Sequence, residues 1–344
     1  MTTHIIHHND LDGYASAGIA KAFLEKQGIH PHFIEMNYGM TLPEVFNQQD
    51  TVYMLDFSLQ PFDAAMEALA NSVDKFIWID HHASSISAYK LLQQEKGLSW
   101  GYDGVRLDGY CGAELTWAWF NLPGRSLSEL EGICQEAPDA IKLVGDWDTW
   151  RHAKMVDSKA PFFKMYFDTM VPEGVIEWFR VYAEESWLEG SGHAKYMEEV
   201  TAQAIHIGTS IKMFEVSESA ALMKSRAFEA KLVIPAAPGV SRDSAYAEVV
   251  YSVIAANMGA RGSDRFASVY QPEKHELMLG FAYENTGKVT VSLYSTNPDI
   301  DCGAIAKLCG EAGPFPGGGG HKGAAGFQTS WEFLMDKLLK LPPQ

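Results

Sequence analysis

Asp80-His81-His82 follows Lys75-Phe76-Ile77-Trp78-Ile79, an apolar run that reads as a short buried strand. A carboxylate and two imidazoles do not fill a core, because buried charge is costly unless it is paired or metal-bound. Three other apolar runs end in the same kind of residue. His8, Asp10 and Asp12 are spaced by two, which on an extended strand end points all three one way. Asp56 ends Tyr53-Met54-Leu55, and Asp146 follows Leu143-Val144 with Asp148 just beyond. A lone Asp at a strand end is more often a helix cap or turn residue. Four such ends in one chain favour a shared site, since the ends of parallel strands lie along one edge, where open α/β sheets bind ligands. So many carboxylates together repel one another without cations. Mixed His and Asp donors suit Mn2+, Zn2+, Fe2+ or Co2+ better than Ca2+. The donors suffice for two ions, and a pair about 3.5–4 Å apart can clamp both oxygens of a phosphoryl displacement.

The elements that must carry these residues read as βαβ units. Residues 4–8, His32 to Met36, Thr51 to Leu55 and Phe76 to Ile79 are strand-like; Ala15 to Gln27 and Phe62 to Ala70 are helical. Strands alternating with helices predict a doubly wound parallel sheet. Helices are expected over Gly112 to Phe120, Ser128 to Cys134, Glu173 to Glu185 and Ala194 to Phe214. Beyond about residue 220 the texture changes. Short β-prone runs cover Ala230 to Ile234, Ala247 to Ile254, Phe266 to Gln271, Glu276 to Tyr283 and Lys288 to Tyr294, and helices are expected over Gly303 to Leu308 and Trp331 to Leu339. The expected organisation is an N-terminal α/β domain over 1–190, a helical linker over 191–218 and a smaller α+β domain over 219–344.

Gly317-Gly318-Gly319-Gly320-His321 is a second candidate site. Consecutive glycines let backbone N–H groups approach an anion closely. A flexible linker is the ordinary reading of a glycine run. Here Pro314-Phe315-Pro316 stiffens one side, and Ala324-Ala325-Gly326-Phe327 continues into apolar sequence on the other. Lys322 is not followed by Ser or Thr, so the run is no P-loop.

His8-Asn9-Asp10-Leu11-Asp12-Gly13, Leu55-Asp56-Phe57-Ser58, Asp80-His81-His82 and Gly145-Asp146 resemble motifs one to four of the DHH phosphoesterase superfamily, in the family's order. Gly317 to Phe327 resembles the glycine-His signature of the substrate-binding domain that accompanies it. The resemblance implies a site for two divalent ions, usually Mn2+. His8 and Asp10 would hold one, Asp12, His81 and Asp146 the other, and Asp56 would bridge them. Asp80 would orient His81, and His82 would face the scissile phosphate; Asp148, the second choice after Asp146 as motif-four ligand, would otherwise hydrogen-bond a metal-bound water. Gly318, Gly319, Gly320 and His321 would hold the far end of the substrate. Relatives that cleave short oligonucleotides often carry Arg where Tyr294 stands. Arg261 or Arg265 would supply the missing cation, or Tyr294 would stack on a base.

Composition narrows the partners. The 344 residues carry 44 acidic against 27 basic side chains, a net charge of −17. A chain that grips long nucleic acid through its phosphates needs a basic surface, so short oligonucleotides or dinucleotides are the expected substrates, hydrolysed by water that two metal ions activate. The alternatives are a phosphomonoesterase on 3′-phosphoadenosine 5′-phosphate (pAp), a pyrophosphate- or polyphosphate-type phosphatase, and a nucleotide-binding regulator without turnover. Four cysteines without a CxxC pair point to neither a disulfide framework nor structural zinc. No signal-like or membrane-length apolar run stands out, so a cytoplasmic protein without membrane association is expected. The oligomeric state, a homodimer included, is open.

Overall fold

A computed structural model describes all residues except 98–100, 122–128, 130–131, 133, 189, 235–248, 259–261 and 343–344. The chain divides into two compact units, Met1–Lys212 and Met213–Gln344. The long helix Ser191–Arg226 runs across that division.

The first unit holds a parallel sheet of β1 (Thr3–His8), β2 (His32–Met36), β3 (Thr51–Leu55) and β4 (Lys75–Ile79), in the order β2-β1-β3-β4. The three strands other than edge strand β2 are almost wholly buried, as expected of parallel strands covered on both faces. Register does the positioning. His7 pairs with Leu55 and Leu55 with Ile79, so the residues that follow each strand emerge along one carboxyl edge. Helix α1 (Leu11–Lys26) starts directly after β1, α2 (Phe62–Ser72) lies between β3 and β4, and α3 (Ala83–Lys96) follows β4. The buried indole of Trp78 donates to the carbonyl of Phe57 at 2.9 Å, which ties β4 to the turn after Asp56.

The expected strand ending before Asp146 is a helix instead. Residues Asp139–Asp148 form α5, whose Ala140, Ile141 and Val144 face a core shared with α4 (Gly112–Asn121). The apolar residues there recur at helical spacing, not alternately. The expected helix at Ser128 to Cys134 lies largely outside the described residues.

The second unit is a seven-stranded mixed sheet in the order β11-β5-β6-β7-β8-β10-β9. Its strands are β5 (Ala227–Ile234), β6 (Val249–Asn257), β7 (Leu277–Tyr283), β8 (Val289–Tyr294), β9 (Gly318–Gly320), β10 (Ala324–Thr329) and β11 (Leu339–Lys340). Helix Cys302–Ala312 covers one face of the sheet through Ile305, Ala306 and Cys309. Two expectations fail here. Phe266 to Gln271 is no strand; a 3₁₀ turn, Ser263–Phe266, buries Phe266. The helix expected over Trp331 to Leu339 is broken into a short helical turn, a π turn and β11. No described helix is long and apolar enough to cross a membrane.

Candidate metal centre

The carboxyl edge of the first sheet gathers His8, Asp10, Asp12, Asp56, His81, His82 and Asp148. Three overlapping sets of donor atoms each lie within 4.8 Å of one another: His8, Asp10 and Asp56; Asp56, His81 and His82; Asp12, His81 and Asp148. Asp56 belongs to two sets. Its Oδ2 is 3.9 Å from His8 Nδ1, and its Oδ1 is 3.1 Å from His81 Nε2. His81 Nε2 also lies 3.3 Å from Asp148 Oδ2 and 3.7 Å from Asp12 Oδ2.

Helix ends set several of these side chains. Asp10 caps α1 by accepting from the Gly13 N–H at 2.9 Å, while its other oxygen meets His8 Nδ1 at 2.7 Å. Asp12 accepts from the N–H groups of Gly112 (2.6 Å) and Ala113 (2.7 Å), at the start of α4. These are donors that a helix N-terminus leaves open and that favour a carboxylate. Asp56 has φ of 54°, a left-handed conformation that few residues other than glycine adopt. Such strain collects at functional sites.

The electrostatics suit cations. Asp56 Oδ1 is buried without a hydrogen-bond partner. Burial, reinforced by the negative charge of Asp12, pushes the Asp56 carboxyl well above its ordinary range. Burial and Asp12 likewise push Asp148 up to about 8. Burial lowers the His81 imidazole, leaving it the neutral ligand form. Unpaired carboxylate oxygens beside neutral imidazole fit divalent cations; His8, Asp10 and Asp56 would hold one, and Asp12, His81 and Asp148 another.

Two expected roles move. Asp146 does not join the cluster: its Oδ1 accepts from Arg151 Nε at 2.8 Å, and Asp148 stands in its place. On a helix, residues two apart point about 200° away from each other, so only one of this pair reaches the edge. Asp80 orients His82, not His81. Its Oδ1 accepts from His82 Nδ1 at 2.6 Å and from the N–H groups of His81 (2.8 Å) and His82 (3.1 Å). Although burial opposes it, that bond raises His82 to about 9.

Sequence reasoning missed the support behind Asp148. Arg151 reaches Glu114 through Nη2 (2.7 Å) and Nη1 (3.1 Å) as well as Asp146, and Glu114 accepts from the Cys111 N–H at 3.0 Å. A buried acid inside the apolar run Gly112 to Phe120 was the available signal. This network joins the start of α4, which holds Asp12, to the end of α5, which holds Asp148.

Residues 247–341 match the DHHA1 domain family. The fold is similar to the DHH domain of a member of the s1p family of ribosomal proteins, at 15% identity and a TM-score of 0.50, covering 98% of this chain and 84% of that one. The chain has the fold of a DHH-domain protein, and its residues 247–341 match the DHHA1 domain. Two further structures resemble it less well. Exonuclease RecJ bound to manganese matches at 14% identity and a TM-score of 0.48, covering 97% of this chain and 86% of that one. RecJ from Thermus thermophilus in complex with Mn2+ matches at 15% identity and a TM-score of 0.45, covering 96% of this chain and 50% of that one. No curated protein matches the sequence.

Within the DHHA1 domain the glycine run is an edge strand, not a loop. Gly318, Gly319 and Gly320 pair with Phe327, Gly326 and Ala325. All three have φ between 145° and 156°, open to glycine alone. As the last strand of its sheet, β9 keeps backbone groups that are not paired within the sheet. His321 next to it is exposed, and its N–H donates to the Ala324 carbonyl at 2.8 Å. Tyr294 ends β8, where its hydroxyl accepts from the Gly262 N–H at 3.3 Å. Arg261 lies outside the described residues.

Proposed function

We infer that the DHH-fold chain is a metal-dependent phosphoesterase, and specifically a phosphodiesterase that hydrolyses short linear oligonucleotides or dinucleotides. The observation that carries this reading is Asp56, a buried carboxylate shared by two donor sets with an oxygen left unpartnered. Divalent ions held there, Mn2+ first among the candidates, would polarise a phosphoryl oxygen and activate water. The chain's own groups do the rest. Asp10 and Asp12 are fixed by backbone N–H groups and so present their free lone pairs without rearrangement. Asp80 locks the His82 ring through Nδ1, which leaves Nε2 as the ring's free polar atom for a phosphate oxygen. Water activated in this way would attack phosphorus directly, a route that needs no covalent enzyme intermediate. Gly318, Gly319, Gly320 and His321 would offer an anion-compatible surface of their own in the second unit. The net charge of −17 favours small substrates over long strands.

The test is a panel of dinucleotides to pentanucleotides, cyclic dinucleotides, pAp and pyrophosphate, each with Mn2+. Release of mononucleotides from the linear substrates is expected. Turnover of pAp or pyrophosphate alone would replace the diesterase reading with a monoesterase or pyrophosphatase one. Nucleotide binding without turnover of any member would favour a regulator.

A further inference from the structure

Between β2 and α2 the first unit holds a cavity of about 720 Å³. Small-molecule sites run from roughly 300 to 1,000 Å³. This one shares a wall with the metal centre. Phe57, the residue after Asp56, lines it and stacks against the His8 ring at 5.9 Å and 16°. Tyr38 lines it too, 5.7 Å from His8 and 5.2 Å from Phe57. Phe57 is buried, whereas Tyr38 is 46% exposed and offers a ring face to an incoming group. Leu59 adds apolar wall and Gln60 a side-chain amide. Glu44 is the only charged side chain among the lining residues; none is Lys or Arg.

With no Lys or Arg in its lining and with Glu44 there, the cavity disfavours a phosphate. Aromatic and aliphatic walls with two side-chain amides, Asn37 and Gln60, and one carboxylate suit an uncharged, planar heteroaromatic group that carries donors on its edge. We propose that this cavity is a nucleoside subsite, which takes the base and sugar on one side of the scissile phosphate and stacks the base on Tyr38. The proposal rests on the phosphodiesterase reading and narrows it. Pyrophosphate and polyphosphate carry nothing that fills such a cavity. Stacking on a ring tolerates any base, so selection would act on the presence of a nucleoside and not on its identity.

The experiment measures binding of adenosine to the full chain by saturation-transfer NMR, with ribose as control, and needs neither metal nor turnover. Adenosine should bind and ribose should not. Ala68→Trp places an indole in the cavity from an exposed position on α2. It should weaken adenosine binding about tenfold or more without lowering the melting temperature. Tyr38→Ala should weaken binding similarly, and Tyr38→Phe should keep it. In the hydrolytic assay Ala68→Trp should raise KM for the dinucleotide pApA about tenfold and leave kcat within about twofold. Adenosine binding that is absent, or that is equal in the wild type, Ala68→Trp and Tyr38→Ala, overturns the proposal. A chain that binds adenosine in this cavity and leaves every diester intact refutes the phosphodiesterase reading and leaves the subsite standing.

Discussion

Asp50 and Asp56 flank the same strand, β3, at similar depth, with 2% and 1% of their surfaces accessible. Their surroundings are opposite. Asp50, at the amino end, accepts from the Thr2 N–H (2.7 Å), the Asn47 N–H (3.0 Å), the Asn47 side-chain amide (3.3 Å) and the His4 ring (3.3 Å). Asp56, at the carboxyl end, faces Asp12, Asp10, Asp148 and Asp80, and its Oδ1 has no hydrogen-bond partner. The Thr2 and Asn47 hydrogen bonds draw Asp50 down to about 2, while burial and like charge drive Asp56 up. One carboxylate is a strut that the fold satisfies by itself. The other is satisfied only from outside, and a divalent cation is the partner of the right charge. Replacing Asp56 by Asn tests that contrast most severely. Hydrolysis with saturating Mn2+ should fall about 10²–10³-fold or more, the scale of losing a stabiliser of reacting charge. In metal-free buffer the same variant should melt no lower than the wild type, because the substitution removes repulsion. A large loss of metal-free stability would make Asp56 a strut as well.

The backbone beside Asp56 sharpens the same comparison. A Cβ added at Gly112 would stand 2.6 Å from Asp56 Cβ and 3.1 Å from Asp12 Oδ2. Gly112→Ala should cost about 1–3 kcal/mol through overpacking. It should also weaken Mn2+ binding about 10–100-fold, as changes behind metal ligands do. Isothermal titration against Mn2+ and a denaturant melt check the two effects separately. In the DHHA1 domain the glycines carry a different burden. At Gly318, with φ of 155°, a Cβ would meet the Ala306 carbonyl oxygen at 2.5 Å and Phe327 Cβ at 2.9 Å. Gly318→Ala should destabilise that unit by roughly 1–3 kcal/mol and raise KM while Mn2+ affinity stays unchanged. A change in Mn2+ affinity would break the assignment of the two glycine sites to separate tasks.

What the sequence disclosed follows from these physics. Buried parallel strands are short apolar runs, so β1, β3 and β4 and the polar residues that end them could be read directly. The motif match favoured Asp146 over Asp148, and the fold brings Asp148 to the cluster instead. Both follow apolar residues, and only the helical path of α5 turns one toward Arg151 and the other toward His81. The donors to Asp12 come from Gly112 and Ala113, a hundred positions along the chain, and nothing local marks them. The glycine run was legible as a place of close backbone approach, yet its pairing with Ala325–Phe327 required the fold. The Glu114–Arg151 pair lay inside an apolar helix and a polar turn that each looked ordinary alone.

The smallest expected effect lies at Asp50. Its carboxyl titrates at about 2 in the folded chain, below the ordinary 3.8. A depressed carboxyl stabilises the fold above its unfolded pKa, and that contribution is lost as pH falls through the folded value. The share due to Asp50 is therefore complete above about pH 4 and fades toward pH 2. Asp50→Asn should lower the melting temperature by a few degrees at pH 7 and flatten the slope of stability between pH 4 and 2. Mn2+-dependent hydrolysis should stay the same, because Asp50 lies at the far end of β3 from the cluster. The Asp56 variant should show the reverse pattern, with activity lost and metal-free stability kept. If Asp50→Asn cost activity in proportion to stability, the two ends of β3 would not be independent, and the division between strut and ligand would fail.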